Sequence, residues 1–302
     1  MATPLSVKIF LGPMFVGTCL STWLFGVCTS QFTTYFLSTR QAQDSFIIRA
    51  LVVWEFSISV FSTVTSIYFV WLYLVENYFN PAFLASAPWP LTVIPLLSAL
   101  SACPVEIFMA YRILRFSRSR LVFGLLVFLT ASNGAIAFAT SVLAFGMPFD
   151  EESRLAPIVD SWLGITVAND VAVTLFLIYY LHKSRTGFGR TNTVIGRLIR
   201  SAVESAAFAS FFSVMVSIMF TLLPRAGLHL VFSQPMGRIY TSTLLSTLNG
   251  RDELRNELAR SYEFGESLSL SPAVAQNRVA VQITQNTELH DFATSSKHPM
   301  GV

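Results

Sequence analysis

Five ionisable residues, Glu55, Glu106, Asp170, Glu204 and Arg238, fall inside long apolar runs of this 302-residue chain. Each costs roughly 2.5–3.5 kcal/mol at the centre of a membrane helix on insertion scales, so each needs a partner or a task. Asp170 lies 11 residues before Leu181, and Arg238 lies 11 before Asn249. At 1.5 Å per residue both sit about 16 Å from the inner ends of their helices, and they are expected to form a buried ion pair. Glu55, Glu106 and Glu204 fall 5–7 residues from their inner ends, roughly 8–10 Å deep. Three acids at one level predict an acidic vestibule that binds a cation or passes protons. In the alternative, Glu204 pairs with Arg200 one turn earlier, while Glu55 and Glu106 accept bonds from neighbouring hydroxyls or loop arginines.

The elements that must position these residues are membrane helices. Hydrophobic residues make up 53% of the chain and charged residues 12%, with a mean hydropathy of +0.58. Soluble domains keep about a quarter of their residues charged. Apolar windows of about 20 residues occur at Ile9–Tyr35, Ala50–Tyr78, Leu91–Ile113, Leu121–Gly146, Pro157–Leu181, Leu198–Leu223 and Gly227–Asn249. No alternation of a β-barrel is present, so the predicted fold is all-α, a seven-helix integral membrane bundle over residues 1–249. Lys8 and the run after it have the outline of a signal peptide, but the run is long and lacks a small-X-small cleavage site, which predicts a retained span.

Arginine and lysine in the connections set the orientation. Arg40 and Arg49, then Arg112, Arg115, Arg118 and Arg120, then Lys183, Arg185, Arg190 and Arg197 lie on one side; the other holds only Lys8, Arg154 and Arg225. The richer side is read as cytoplasmic, which puts the N-terminus outside and the C-terminus inside. Small residues every four positions, Ser201, Ser205, Ala209, Ser213 and Ser217 in the sixth span and Ala131, Ala135 and Ala139 in the fourth, predict close helix packing there. Asn249-Gly250 is read as the end of the last span, since glycine suits the left-handed residue after a helix. Residues 250–264 carry Leu254, Leu258 and Tyr262 among charges and are expected to form an amphipathic juxtamembrane segment. Residues 265–302, rich in Ser, Thr, Gln and Asn, are expected to be a disordered cytoplasmic tail.

The stretch "RIYTSTLLSTLNGR" at Arg238–Arg251 resembles the closing signature of a fungal family of multi-pass membrane proteins, domain of unknown function 6534. Tyr240, Leu244, Leu245, Thr247, Leu248, Asn249 and Arg251 match that signature; Thr241, Ser242, Thr243, Ser246 and Gly250 depart from it. Asp170, "RTGFGRT" at Arg185–Thr191, "RLI" at Arg197–Ile199 and Glu204 also fit. The resemblance implies a membrane location and a seven-helix layout, and no activity.

Several function classes lack their residues. The lysines, Lys8, Lys183 and Lys297, all fall outside the spans, which excludes a retinal Schiff base. Histidines and cysteines are not grouped as haem or zinc ligands, and no nucleophile or phosphate-loop pattern occurs. No cofactor and no enzymatic activity are therefore expected. A net charge of +3, held in short loops, does not make a nucleic-acid surface. The expected partners are the lipid bilayer of the plasma membrane or an endomembrane, and a cytoplasmic protein at the basic loops and C-terminal tail. The functional expectation is a receptor- or sensor-like protein, with a proton- or cation-coupled transporter or channel as the alternative.

Overall fold

A backbone inside a bilayer has no hydrogen-bond partner but protein, and charge-free runs of this length meet that demand as helices. In a computed structural model the described residues are 4–38, 44–78, 80, 83, 88–145, 152–183, 189–223 and 226–269; side chains are described within these except at 4–7, 116, 152–155, 181, 182, 189–202 and 251–269. Eight α-helices are present among them: α1 (Pro4–Leu37), α2 (Phe46–Trp71, continued by a π-helical turn Leu72–Glu76), α3 (Trp89–Thr92), α4 (Ile94–Ser117), α5 (Arg120–Ala144), α6 (Glu152–Lys183), α7 (Gly189–Leu222) and α8 (His229–Ser269). Among the described residues six stretches are long and apolar enough to cross a membrane, Lys8–Leu37, Phe46–Glu76, Trp89–Arg115, Arg120–Ala144, Ala156–Tyr180 and Val203–Leu222. No strand occurs among the described residues.

The last apolar window of the sequence is not one of the six. α8 carries Ser233, Gln234, Arg238, Thr241, Ser242, Thr243, Ser246, Thr247 and Asn249, which lower its hydropathy. Its polar face is covered by protein: Gln234, Arg238, Thr241, Thr243 and Thr247 are all buried. α8 also runs on through Gly250, where the sequence predicted a stop. Glycine inside a helix costs only about 1 kcal/mol, and Asn249, instead of capping the end, donates from Nδ2 to the Gln31 carbonyl of α1 at 2.9 Å. Residues up to Arg251 form one compact unit and those from Asp252 a second. In the predicted amphipathic segment 250–264 the side chains from Arg251 onward lie outside the described residues, as does the predicted tail beyond Ser269.

α1 buries Met14, Thr18, Ser21, Cys28, Phe32 and Tyr35, positions separated by four, three, seven, four and three residues. That spacing is a narrow seam of the kind that packs one helix along another. Gly17 sits on the seam, and α8 approaches it so closely that a Cβ there would lie 2.5 Å from the carbonyl oxygen of Leu230. Gly227, which leads into α8, has φ +61 and packs against Phe10; a left-handed turn this close to a neighbour suits glycine.

Of the stripe predicted for the sixth span, Ala209 and Ser213 are buried, Ser205 and Ser217 half-buried, and the Ser201 side chain lies outside the described residues; beside it, Ser210 Oγ lies 2.8 Å from Thr174 Oγ1 of α6. The stripe predicted for the fourth span does not pack: Ala131 and Ala135 are exposed and Ala139 is half-buried. α5 instead turns Leu126, Thr130, Asn133, Ala137, Thr140 and Ser141 inward, because hydrogen-bonding side chains gain more from an interior position than alanine does. Ser141 Oγ accepts from the amide of Leu96 at 3.1 Å, satisfying a donor in the first turn of α4.

Proline supplies another tertiary bond. Pro104 lies inside α4 and has no N–H to give the carbonyl four residues earlier. That carbonyl belongs to Leu100, and Trp54 Nε1 of α2 donates to it at 3.0 Å. Trp54→Phe keeps the ring and removes the donor, and is expected to destabilise the protein by about 1 kcal/mol, measured by thermal unfolding in detergent.

Candidate functional site

The polar side chains that surround α8 divide into three groups, set by which face of the helix carries them. The first is centred on Arg238, which is 2% exposed. Its Nη1 donates to Ser62 Oγ at 2.7 Å and to the Gln234 carbonyl at 3.5 Å, and its Nη2 donates to Thr63 Oγ1 at 2.8 Å. Gln234 in turn accepts from Thr18 Oγ1 of α1 at 2.8 Å. The second group is centred on Glu55, fully buried. Its Oε2 accepts from Ser101 Oγ of α4 and from Thr241 Oγ1 of α8, both at 2.8 Å.

The third group joins α4, α5, α6 and α8. Tyr240 donates its hydroxyl to the Asp170 carboxylate, 2.8 Å from Oδ2 and 3.0 Å from Oδ1. Glu106, 3% exposed, lies beside Thr130 and Asn169 and within electrostatic reach of Asp170. Neither Glu106 oxygen makes a hydrogen bond of good geometry, and Asn169 Oδ1 also lacks a donor. Asn169 Nδ2 donates to Thr130 Oγ1 at 3.1 Å, and Thr166 Oγ1 donates to Asn133 Oδ1 at 2.8 Å. These bonds fix α5 against α6 around the two acids.

The expected ion pair of Asp170 with Arg238 does not form. The two residues lie at a similar level along the bundle but face different ways. Tyr240 is the α8 residue that meets Asp170, and Arg238 stands two positions before it, about 200° around the helix. Arg238 therefore faces α2 while Asp170 faces the opposite side of α8. Substituting both, Asp170→Asn with Arg238→Met, should cost the sum of the single effects to within about 0.5 kcal/mol, with stability read from thermal unfolding. A coupling above that would mean the two charges interact.

The acidic vestibule is not assembled either. Glu55 and Glu106 both point into the protein, but onto different neighbours: Ser101, which bonds Glu55, is five residues from Glu106 on α4, about 140° of turn. Glu204 is exposed, on the side of α7 opposite the buried Ala206, Ala209 and Ser213. The side chain of Arg200, its expected partner, lies outside the described residues. What the fold does bring together is Glu106 and Asp170, an acid pair drawn from the two separate sequence groupings.

The closing motif acts as the attachment of α8 to the bundle. Tyr240 bonds Asp170 of α6, Thr247 accepts from Arg112 Nη1 of α4 at 3.3 Å, and Asn249 bonds α1. Leu244, Leu245 and Leu248 are buried in the main apolar cluster. The Arg251 side chain lies outside the described residues. Sequence reasoning missed Ser101, Thr130, Asn133, Thr166 and Asn169 as partners; their one signal was to be hydrogen-bonding side chains inside otherwise apolar windows.

This arrangement, apolar helices around an internally bonded polar core, is that of a helical integral membrane protein embedded in a lipid bilayer. Residues 166–253 match the family model described as "Family of unknown function (DUF6534)", the same family that the closing motif resembles. The matched segment supplies Asn169, Asp170, Arg238, Tyr240 and Thr241 to the polar core. No curated protein and no solved structure matches the chain.

Proposed function

We propose that the protein is a seven-helix, receptor-like membrane protein with its N-terminus outside and its C-terminus cytoplasmic, in which α8 is the seventh span and the polar core around it is the responsive element. The observation that carries this reading is the burial of the polar face of α8, with its side chains bonded to α1, α2, α4 and α6. A helix held by hydrogen bonds on several faces moves only by exchanging one set of partners for another, which is the bistable behaviour a sensor requires. The acids are dispersed over different faces and do not line one opening, which favours a switch over a conduit. A cytoplasmic protein that meets the basic loops and tail would read the switch. No enzymatic step is part of the proposal.

A proton- or cation-coupled carrier is the second reading, favoured by the oxygens of Glu106 and Asn169 that have no donor beside Asp170. Two carboxyl groups and an amide oxygen in a medium of low dielectric suit a proton or a cation held between them. Proton flux into liposomes holding the purified protein, under an imposed pH gradient and potential, separates the readings. The receptor-like reading expects flux equal to that of empty liposomes. Flux that Glu106→Gln or Asp170→Asn abolishes, and that Glu204→Gln leaves intact, would transfer the protein to the carriers.

A further inference from the structure

Arg238 is a buried guanidinium, 2% exposed, whose hydrogen-bond partners among the described residues are all neutral. Its partners are two hydroxyls and a carbonyl, and no carboxylate of the described residues forms a salt bridge with it. A guanidinium inside the membrane needs more than neutral acceptors, because hydrogen bonds satisfy its N–H groups and leave its charge desolvated.

Beside this charge lies a cavity of about 30 Å³ bounded by α2, α3, α4 and α8. Water needs on the order of 10–15 Å³ measured this way, so two molecules or one small ion fit. Its lining includes the hydroxyl side chains of Ser59, Ser62, Ser66, Ser98, Ser101 and Ser233, with Phe69, Pro90 and Ile94 as apolar wall. Two buried donor groups on this wall lack partners, Arg238 Nε and Ser233 Oγ. Arg238 Nε is an obligate donor, Ser233 a hydroxyl free to donate, and both belong to one cavity.

We propose that this cavity is a binding site for a small monovalent anion, of the size of chloride or formate, held by the Arg238 guanidinium and the Ser233 hydroxyl. The anion supplies both missing terms at once: acceptors for the two orphaned donors and a countercharge for the arginine. Water would supply the first only. The site lies on the face of α8 opposite Asp170 and does not depend on whether the protein senses or transports.

The test uses the full chain purified in detergent and titrated with sodium chloride or sodium formate, with sodium gluconate holding ionic strength constant; unfolding temperature is the readout. A saturable rise with chloride or formate is expected. Arg238→Gln should raise the apparent Kd about 10- to 100-fold, the loss of one charge-assisted bond, and Ser233→Ala should raise it less. Because Arg238→Gln risks misfolding, Ser98→Leu, which fills the cavity from α4 and leaves the arginine in place, should also abolish the rise. Saturation by chloride alone marks a halide site, and saturation by formate as well marks a carboxylate-accepting site; both support the proposal. A response that is absent, that grows linearly with salt, or that Ser98→Leu and Ser233→Ala leave unchanged would overturn it.

Discussion

Replacing Gly17 with valine is expected to unseat α1 from α8 and destabilise the protein by about 3 kcal/mol, with the smaller Gly17→Ala costing about 1–2 kcal/mol. A Cβ at this position meets the carbonyl oxygen of Leu230 at 2.5 Å and the Cα of Val231 at 3.1 Å. Both obstacles are backbone, so no side-chain rotation relieves them. Separating the helices would also loosen the bonds of Thr18 to Gln234 and of Ser21 to the Gln234 carbonyl. Gly12 and Gly26, whose added Cβ would meet nothing, serve as controls: alanine there should change the unfolding temperature little. An equal loss at Gly12 and Gly17 would mean that the cost is helix propensity or lipid contact and not this approach.

Tyr240→Phe is the second large effect. The phenol donates to both oxygens of Asp170, and its loss leaves the carboxylate beside Glu106 without its donor from α8. Bonds to charged groups contribute about 1.5–3 kcal/mol, and leaving the acceptor buried puts the expected loss at the upper end, about 3 kcal/mol. Adding Asp170→Leu to Tyr240→Phe removes the orphaned acceptor and should restore part of the loss, since replacing both partners by apolar groups costs less than stranding one. A double variant no more stable than Tyr240→Phe would show that Asp170 is held by other contacts.

Much of the architecture was legible because membrane helices announce themselves by length. The window Leu121–Gly146 lies almost on α5 (Arg120–Ala144), and Pro157–Leu181 falls inside α6 (Glu152–Lys183). Burial at the buried-acid positions was legible too, from the cost of a charge in an apolar run. Rotation about the helix axis was not. Asp170 and Arg238 lie at a similar level, but pairing requires a common direction, which depends on how α8 turns against the helices around it. The same uncertainty separated Glu204 from Glu55 and Glu106. Gly250 misled for a different reason: its local preference for a left-handed stop is weaker than the continuation of a helix on both sides of it.

The central claim is that α8, too polar to be counted among the six apolar spans, nevertheless crosses the membrane as the seventh. The side of the membrane on which each end of the chain lies tests it most directly. In a background with Cys19, Cys28 and Cys103 replaced by alanine, single cysteines at Ala2 and Ser267 would be probed with an impermeant thiol reagent in intact and permeabilised cells. Labelling of Ala2→Cys in intact cells, with Ser267→Cys labelled only after permeabilisation, is the predicted result. Both positions on the same side would mean an even number of crossings and would contradict the account.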